Sequence, residues 1–248
     1  MVKINEGLGG CIFHYAILTW VRSDLIILSH IISNNSKLLV ALPYFYPMAT
    51  TEHKYYIIYK PYNMVSQFVS PDDVRLLGDL NFDFPEGTHA IGRLDSLSEG
   101  LLILTTNKAV TKLLFQGPVP HQRTYLVKVK GYVSQESLEQ LNSGVSIRTG
   151  LDEYHTTACD VAKIVEKPDF IENLPNEWHQ GIPHTWLTIT LFEGKFHQVR
   201  KMVAAINHPC KRLIRLSIED MQLFPMVPSE VKELEEQQFF NLLRISYP

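Results

Sequence analysis

The stretch "AIGRLDSLSEGLLILTTN", residues 90–107, sets a charged pair, Arg93 and Asp95, in front of one of the most apolar runs in the chain. "GLLILTT" is short and continuously apolar, as a strand buried on both faces is. Asn107 closes it and is suited to cap a helix over "KAVTKLLF". If the segment before the strand is extended, Arg93 and Asp95, as residues i and i+2, share a face and look into one cleft. A carboxylate there faces a desolvation penalty unless an opposite charge lies close. On the tetrapeptide "GRLD" alone, a surface ion pair in a loop is the simpler reading. Other segments shift that balance.

Outward from this strand the pattern is mixed. "KYYIIYK" reads as a strand and "SPDDVRLLGDL" as a short helix with Ser70 as cap and Pro71 at its first position. "RTYLVKVKG" alternates like a half-buried strand that Gly131 ends, and "SQESLEQLNSG" is a helix with a glycine stop. "TTACDVAKIVEK" and "TWLTITLFEG" are further strands, separated by a Pro- and Trp-containing loop, 168–184. "KFHQVRKMVAAIN" predicts a helix with Phe196, Val199, Val203 and Ile206 turned inward, followed by a strand over "RLIRLSI". Strands and helices interleave irregularly, which places the chain in the α+β class rather than among doubly wound sheets.

At 248 residues the chain is long enough to bury a full core without staples. The three cysteines, Cys11, Cys159 and Cys210, are dispersed and form no C-x-x-C pair, which points to a reducing compartment, the cytoplasm. Ten histidines without an H-x-x-x-H spacing give no metal site. Residues 11–32, "CIFHYAILTWVRSDLIILSHII", are apolar, yet Arg22 and Asp24 interrupt them too early for a spanning helix, and no cleavage signal follows. No membrane association is expected. Residues 1–47 read as an N-terminal extension without chemistry, with Met48 as the natural start and a catalytic domain over 53–248.

The formal charge of −3 and pI of about 6.4 exclude a protein that coats nucleic acid by bulk electrostatics. Local charge differs. Lys195, Arg200, Lys201, Lys211, Arg212 and Arg215 fall within one acid-free stretch, while "EVKELEE", 230–236, is mostly acidic. "LFEGKFHQVRKMV" joins a glycine turn to a helix start bearing Lys195, His197, Gln198, Arg200 and Lys201, groups suited to phosphate contacts. Tyr125 offers an aromatic plane for stacking on a base. Lys60 ends the first strand of the main region, in "YKPYNMVSQF".

Taken together and in this order, "YKPYNMVSQF", "GRLDSLSEGLLILTTN", "RTYLVKV" and "TWLTITLFEGKFHQVRKMVAAINHPCKRLIR" resemble the RsuA-type pseudouridine synthases of bacterial ribosomal RNA. Within that family they are most similar to the short members that modify large-subunit RNA and lack an N-terminal S4 domain. The resemblance covers about residues 53–235. It implies a mixed, mainly antiparallel central sheet with flanking helices, isomerisation of a ribosomal uridine, no cofactor, and a monomer. It makes Asp95 the catalytic carboxylate and gives Arg93 the holding of the flipped nucleotide. It sets Tyr125 against the uracil, Leu213 in the apolar wall of its pocket, and Arg200 as the cation paired with Asp95. The phosphate-contacting set would be Lys60, Lys195, His197, Gln198, Lys201, Lys211, Arg212 and Arg215. Leu97 stands where the family commonly has a second acid. A non-catalytic RNA-binding protein of the same fold, or the same reaction on transfer RNA, are the competing readings.

Overall fold

The computed structural model describes residues 13–21, 24–32, 44–45, 52–117, 119–157, 162–172, 174 and 181–246. Met48, Cys11, Cys159, most of the remaining 1–47 segment and residues 173 and 175–180 of the 168–184 loop lie outside them. The chain divides into two compact units, residues 1–52 and 53–248. In the first, β1 (Phe13–Val21) pairs antiparallel with β2 (Asp24–Ile32), from Phe13↔Ile32 to Val21↔Asp24, and β3 (Tyr44–Phe45) adds to β2. The apolar stretch is thus two strands. No helix among the described residues is long and apolar enough to cross a membrane.

The second unit contains, in chain order, β4 (Tyr55–Lys60), β5 (His89–Ile91), β6 (Glu99–Thr105), α1 (Ala109–Phe115), β7 (Arg123–Lys130), α2 (Gln135–Ser143) and the hairpin β8 (Ser146–Thr149) and β9 (Asp152–His155). There follow β10 (Lys163–Val165), β11 (His184–Leu191), α3 (Gln198–Ala205), β12 (Cys210–Ile218), β13 (Met221–Gln222), β14 (Val231–Leu234) and α4 (Glu236–Leu242). The main sheet runs β10-β11-β7-β12-β6-β4-β14, with β13 on β12 and β5 on β6. Among the described residues only β6 and β12 pair in parallel, so the sheet is mixed and mainly antiparallel.

All seven residues of β6 are buried, as its apolar run requires. β4 lines one edge of it, so β12 at Glu99–Gly100 and β5 at Ile103–Thr105 must share the other. This division brings the β5–β6 connection, residues 92–98, beside β12. Gly100 permits the crossing: its φ is +104°, and a Cβ there would lie 2.3 Å from the Arg215 carbonyl oxygen. Next to it a buried ion pair ties the same two strands, Arg212 donating to both Glu99 oxygens at 2.8 Å through Nε and Nη2.

On β4, Tyr55, Ile57 and Tyr59 enter one apolar cluster and Tyr56 and Ile58 another, the two-residue alternation of a strand covered on both faces. Each such fully buried side chain contributes about 1.5–3 kcal/mol. A third cluster forms where Val127 and Val129 of β7 and Leu187 and Ile189 of β11 meet Val199, Met202 and Val203 of α3. That packing fixes α3 against the sheet.

Three local expectations differ from what the fold shows. Residues 70–80 form turns and a single 3₁₀ turn at Leu77–Asp79, because the Leu77 amide bonds the Gln67 carbonyl and the Val65 amide bonds the Arg75 carbonyl, tying the segment to 65–67. β7 is buried on both faces from Leu126 to Val129, because Val127 and Val129 pack with α3 while Leu126 enters the opposite apolar cluster and Lys128 lies over the Trp186 ring. Phe196 precedes α3 and is 72 % exposed, while Val199, Val203 and Ile206 do face inward. Within "TTACDVAKIVEK" the described strand is Lys163–Val165. The Asn107 side chain behaves as read, its Oδ1 accepting from the Ala109 amide at 3.0 Å; Ser134, which the sequence reading does not single out, caps α2 by accepting at Oγ from the Ser137 amide at 3.2 Å.

Candidate active site

Asp95 sits in the turn between β5 and β6, held from two directions. Its neighbour Leu94 is buried among Tyr56, Ile58 and Met64, and the Ser66 hydroxyl donates to the Leu94 carbonyl (2.8 Å) while accepting from its amide (2.9 Å). On the other side the Ser98 amide closes the turn onto the Asp95 carbonyl at 2.9 Å. A buried anchor therefore fixes the backbone, and the Asp95 side chain projects outward, 35 % exposed.

It projects into a cleft of about 530 Å³. That volume lies within the roughly 300–1,000 Å³ of small-ligand sites. Arg93, Tyr125, Leu213, Glu193, Phe196 and His197 line it with Asp95. Arg93 and Asp95 thus open onto one space, as i and i+2 residues do, and the Arg93 guanidinium donates to Gln67 Oε1 at 3.3 Å. Leu213 supplies an apolar wall and Tyr125, half-buried, its ring. Opposite Tyr125 in the β12–β7 register, the buried Arg215 donates through Nε to the Leu101 carbonyl at 2.7 Å.

Two side chains approach Asp95, one from α3 and one from its N-cap. Arg200 Nε lies 3.9 Å from Oδ2, and His197 Nε2 lies nearer, 3.3 Å from Oδ1. Arg200 Nη2 donates to the turn itself, at the Leu97 carbonyl (2.8 Å) and Ser98 Oγ (3.0 Å), and Nη1 donates to Cys210 Sγ of β12 (3.6 Å). Burial pushes the Cys210 thiol up to about 11, so it serves as a neutral neighbour and not as a thiolate nucleophile. At Leu97 the side chain is exposed and only the backbone carbonyl takes part.

The turn before α3 is also built. Gln198 accepts from the Lys195 amide (2.8 Å) and donates to Glu193 Oε1 (2.6 Å). Burial raises the Glu193 carboxyl, but hydrogen bonds from the Tyr154 hydroxyl, the Thr157 amide and Gln198 outweigh it and hold the group below the usual carboxylate range. His197, the N-cap of α3, takes the left-handed conformation at φ 55°.

Four residues expected to touch RNA are buried and do other work. Lys60, 0 % exposed, donates from Nζ to the carbonyls of Met64 (2.6 Å), Pro61 (3.0 Å) and Ser96 (3.5 Å), which places it under the Asp95 turn. Burial lowers its pKa to about 8, with Glu99 and Asp95 pulling the other way. Arg212 is consumed by Glu99, Arg215 bonds the Leu101 carbonyl, and Gln198 knots the 193–198 turn. Fixed polar groups in the core need partners, and these four are such partners rather than surface contacts. Of the remaining set, Lys195, His197 and Lys211 are exposed and Lys201 is half-buried, its Nζ donating to the Arg148 carbonyl at 2.6 Å. The acid-free stretch is a smaller basic face than its sequence suggests. Among the described residues no three His, Cys, Asp or Glu side chains gather as a metal site.

The sequence reading missed the Ser66 clamp, which carries no sequence signal, and the closeness of His197 to Asp95. It also missed the exposure of Phe196, whose helical spacing mimics a core position.

Comparison with known proteins adds a separate line of support. The sequence profile of the RNA pseudouridylate synthases matches residues 54–205. The chain is 37 % identical over 188 residues to the ribosomal large subunit pseudouridine synthase E of Vibrio vulnificus, covering 75 % of this chain and 77 % of that protein. It is 34 % identical over 175 residues to the protein of the same name from Xanthomonas axonopodis pv. citri, covering 69 % of this chain and 89 % of that one. A crystal structure of a pseudouridylate synthase superposes with a TM-score of 0.60 at 25 % identity, over 77 % of this chain and 74 % of the other.

Proposed function

The chain belongs to the RNA pseudouridylate synthase family, and from that premise we propose that it converts a uridine of large-subunit ribosomal RNA to pseudouridine with Asp95 as its catalytic carboxylate. The reading also makes residues 53–248 the catalytic domain, working as a cytoplasmic monomer without cofactor or metal, and leaves residues 1–47 outside the chemistry. The observation that carries it is the Asp95 carboxylate, fixed by a buried turn, opening onto a cleft walled by Tyr125 and Leu213.

The reaction breaks the bond between uracil N1 and ribose C1′, turns the base and joins C5 to C1′; the C5 proton is lost and N1 gains one. Nothing is oxidised and no group is added, so the protein needs a shaped pocket and one ionised carboxylate. That carboxylate either attacks C1′ as a glycosidase nucleophile does or removes a ribose proton. A stacked uridine must first leave the helix, at a cost of a few kcal/mol. Contacts to Tyr125 and Leu213, and Arg93 at the rim, offset that cost.

Carbodiimide mapping of ribosomal RNA from cells with and without the gene tests the substrate, with loss of one large-subunit site expected. Asp95→Asn should fold and bind that RNA yet form no pseudouridine. Product at the normal rate would remove Asp95 from the chemistry.

A further inference from the structure

Phe196 is an expensive residue to leave in water. Its ring is 72 % exposed at the rim of the Asp95 cleft, although the helical spacing around it would suit a core position. The exposure is held in place. His197 lies against the ring, centroids 3.9 Å apart and planes 18° from parallel. The backbone on either side is fixed by the Glu193–Gln198–Lys195 bonds and by the start of α3. His197 reaches this position in a left-handed conformation that non-glycine residues enter only at a cost. Its other contact is the Asp95 carboxylate, 3.3 Å away. One short segment thus couples an open aromatic face to the proposed catalytic group. Cations border it: Lys201 Nζ is 5.2 Å from the Phe196 centroid, and the exposed Lys195 places its Nζ 4.6 Å from the Tyr154 ring.

We infer that the Phe196 ring, stacked beforehand on His197, is a platform for the unpaired base next to the extruded uridine, with Lys195 and Lys201 beside the phosphates that flank it. This rests on the function proposed above and names how that site grips its RNA. A flipped uridine leaves a neighbour with one uncovered face, and an aromatic ring already stacked on His197 within the same cleft covers it with less entropy to lose than a free side chain. An apolar protein partner would be expected to meet a wider patch without flanking ammonium groups. Phe196 is accordingly a positioning residue, not a catalytic one.

The test uses a short synthetic RNA spanning the uridine located by the mapping experiment, with 2-aminopurine on its 5′ side or its 3′ side. At one of the two positions the bound fluorophore should be dimmer with the wild-type protein than with Phe196→Ala. Phe196→Ala should raise KM about ten-fold, with the loss falling on KM rather than kcat, and Phe196→Tyr should restore both signals. An abasic nucleotide at that position should weaken the wild type to the level of Phe196→Ala and weaken the variant no further. Equal fluorescence at both positions, or an unchanged KM, while the wild type still makes pseudouridine, overturns the platform alone. A wild-type protein that makes no pseudouridine in ribosomal RNA overturns the underlying function and the platform with it.

Discussion

Arg200 faces Asp95 edge-on, its Nε 3.9 Å from Oδ2, while its Nη2 hydrogen-bonds the Leu97 carbonyl and the Ser98 hydroxyl of the turn that carries Asp95. One guanidinium thereby does two things: it sets positive charge beside the carboxylate and fixes the backbone that presents it. Arg is needed for both, since a planar fork can span three acceptors that an ammonium group cannot.

Arg200→Ala should therefore lose about a hundred-fold or more in activity, because small misplacements of a reacting group are that costly. Arg200→Lys should recover little, since charge alone does not rebuild the contacts to Leu97 and Ser98. Circular dichroism should show both variants folded. Near-normal turnover by the lysine variant would show that charge is the whole contribution.

The Glu99–Arg212 pair invites a stability measurement. Both side chains are almost wholly buried and joined by two 2.8 Å hydrogen bonds across the parallel β6–β12 step of the sheet. Glu99→Gln leaves the guanidinium charged and without its counter-ion. The loss should be roughly 3–5 kcal/mol, read from urea midpoints at constant slope. A loss under about 1 kcal/mol would mean that water or another group takes over the charge.

Lys60 makes stability depend on alkaline pH. Its pKa is about 8 when folded and 10.5 in the unfolded chain, so the full cost of burying the ammonium is present below about pH 8. Between the two values the unfolded chain holds a proton that the folded protein has released, and stability rises with pH. Comparing wild type with Lys60→Met isolates this effect, because other alkaline titrations, such as Tyr59, pushed up to about 12 by burial, are shared by both proteins. From pH 8 to 9.5 the difference in unfolding free energy should move toward the wild type by up to about 1.4 kcal/mol per pH unit. Parallel curves would place the proton elsewhere.

What could be read from the sequence follows from the range of the forces involved. β6 and the cap at Asn107 were legible because an apolar run and a capping side chain act within a few residues. The lysine at the end of β4 and the arginines of β12 looked like RNA contacts because charge in a sequence carries no sign of burial. Partners such as the Ser96 carbonyl, Glu99 and the Leu101 carbonyl arrive from distant segments. The segment 70–80 read as helix for the same reason, its backbone bonds being taken by residues 65–67. Phe196 shows the converse, a periodic position that chain geometry turns outward at a turn.

The redistribution of charge between core and surface has a measurable result in RNA binding. Lys195 and Lys211 are exposed, whereas Lys60 is sealed beneath the Asp95 turn. Each phosphate contact releases counter-ions and steepens the fall of affinity with salt. Lys195→Ala and Lys211→Ala should each reduce the slope of log K against log salt by about one, while Lys60→Met should leave it unchanged. Fluorescence anisotropy with the mapped RNA fragment, titrated at several salt concentrations, reads all three slopes. A reduced slope for Lys60→Met would return that lysine to the RNA-contacting surface, and unchanged slopes for the other two would move the phosphate path away from this face.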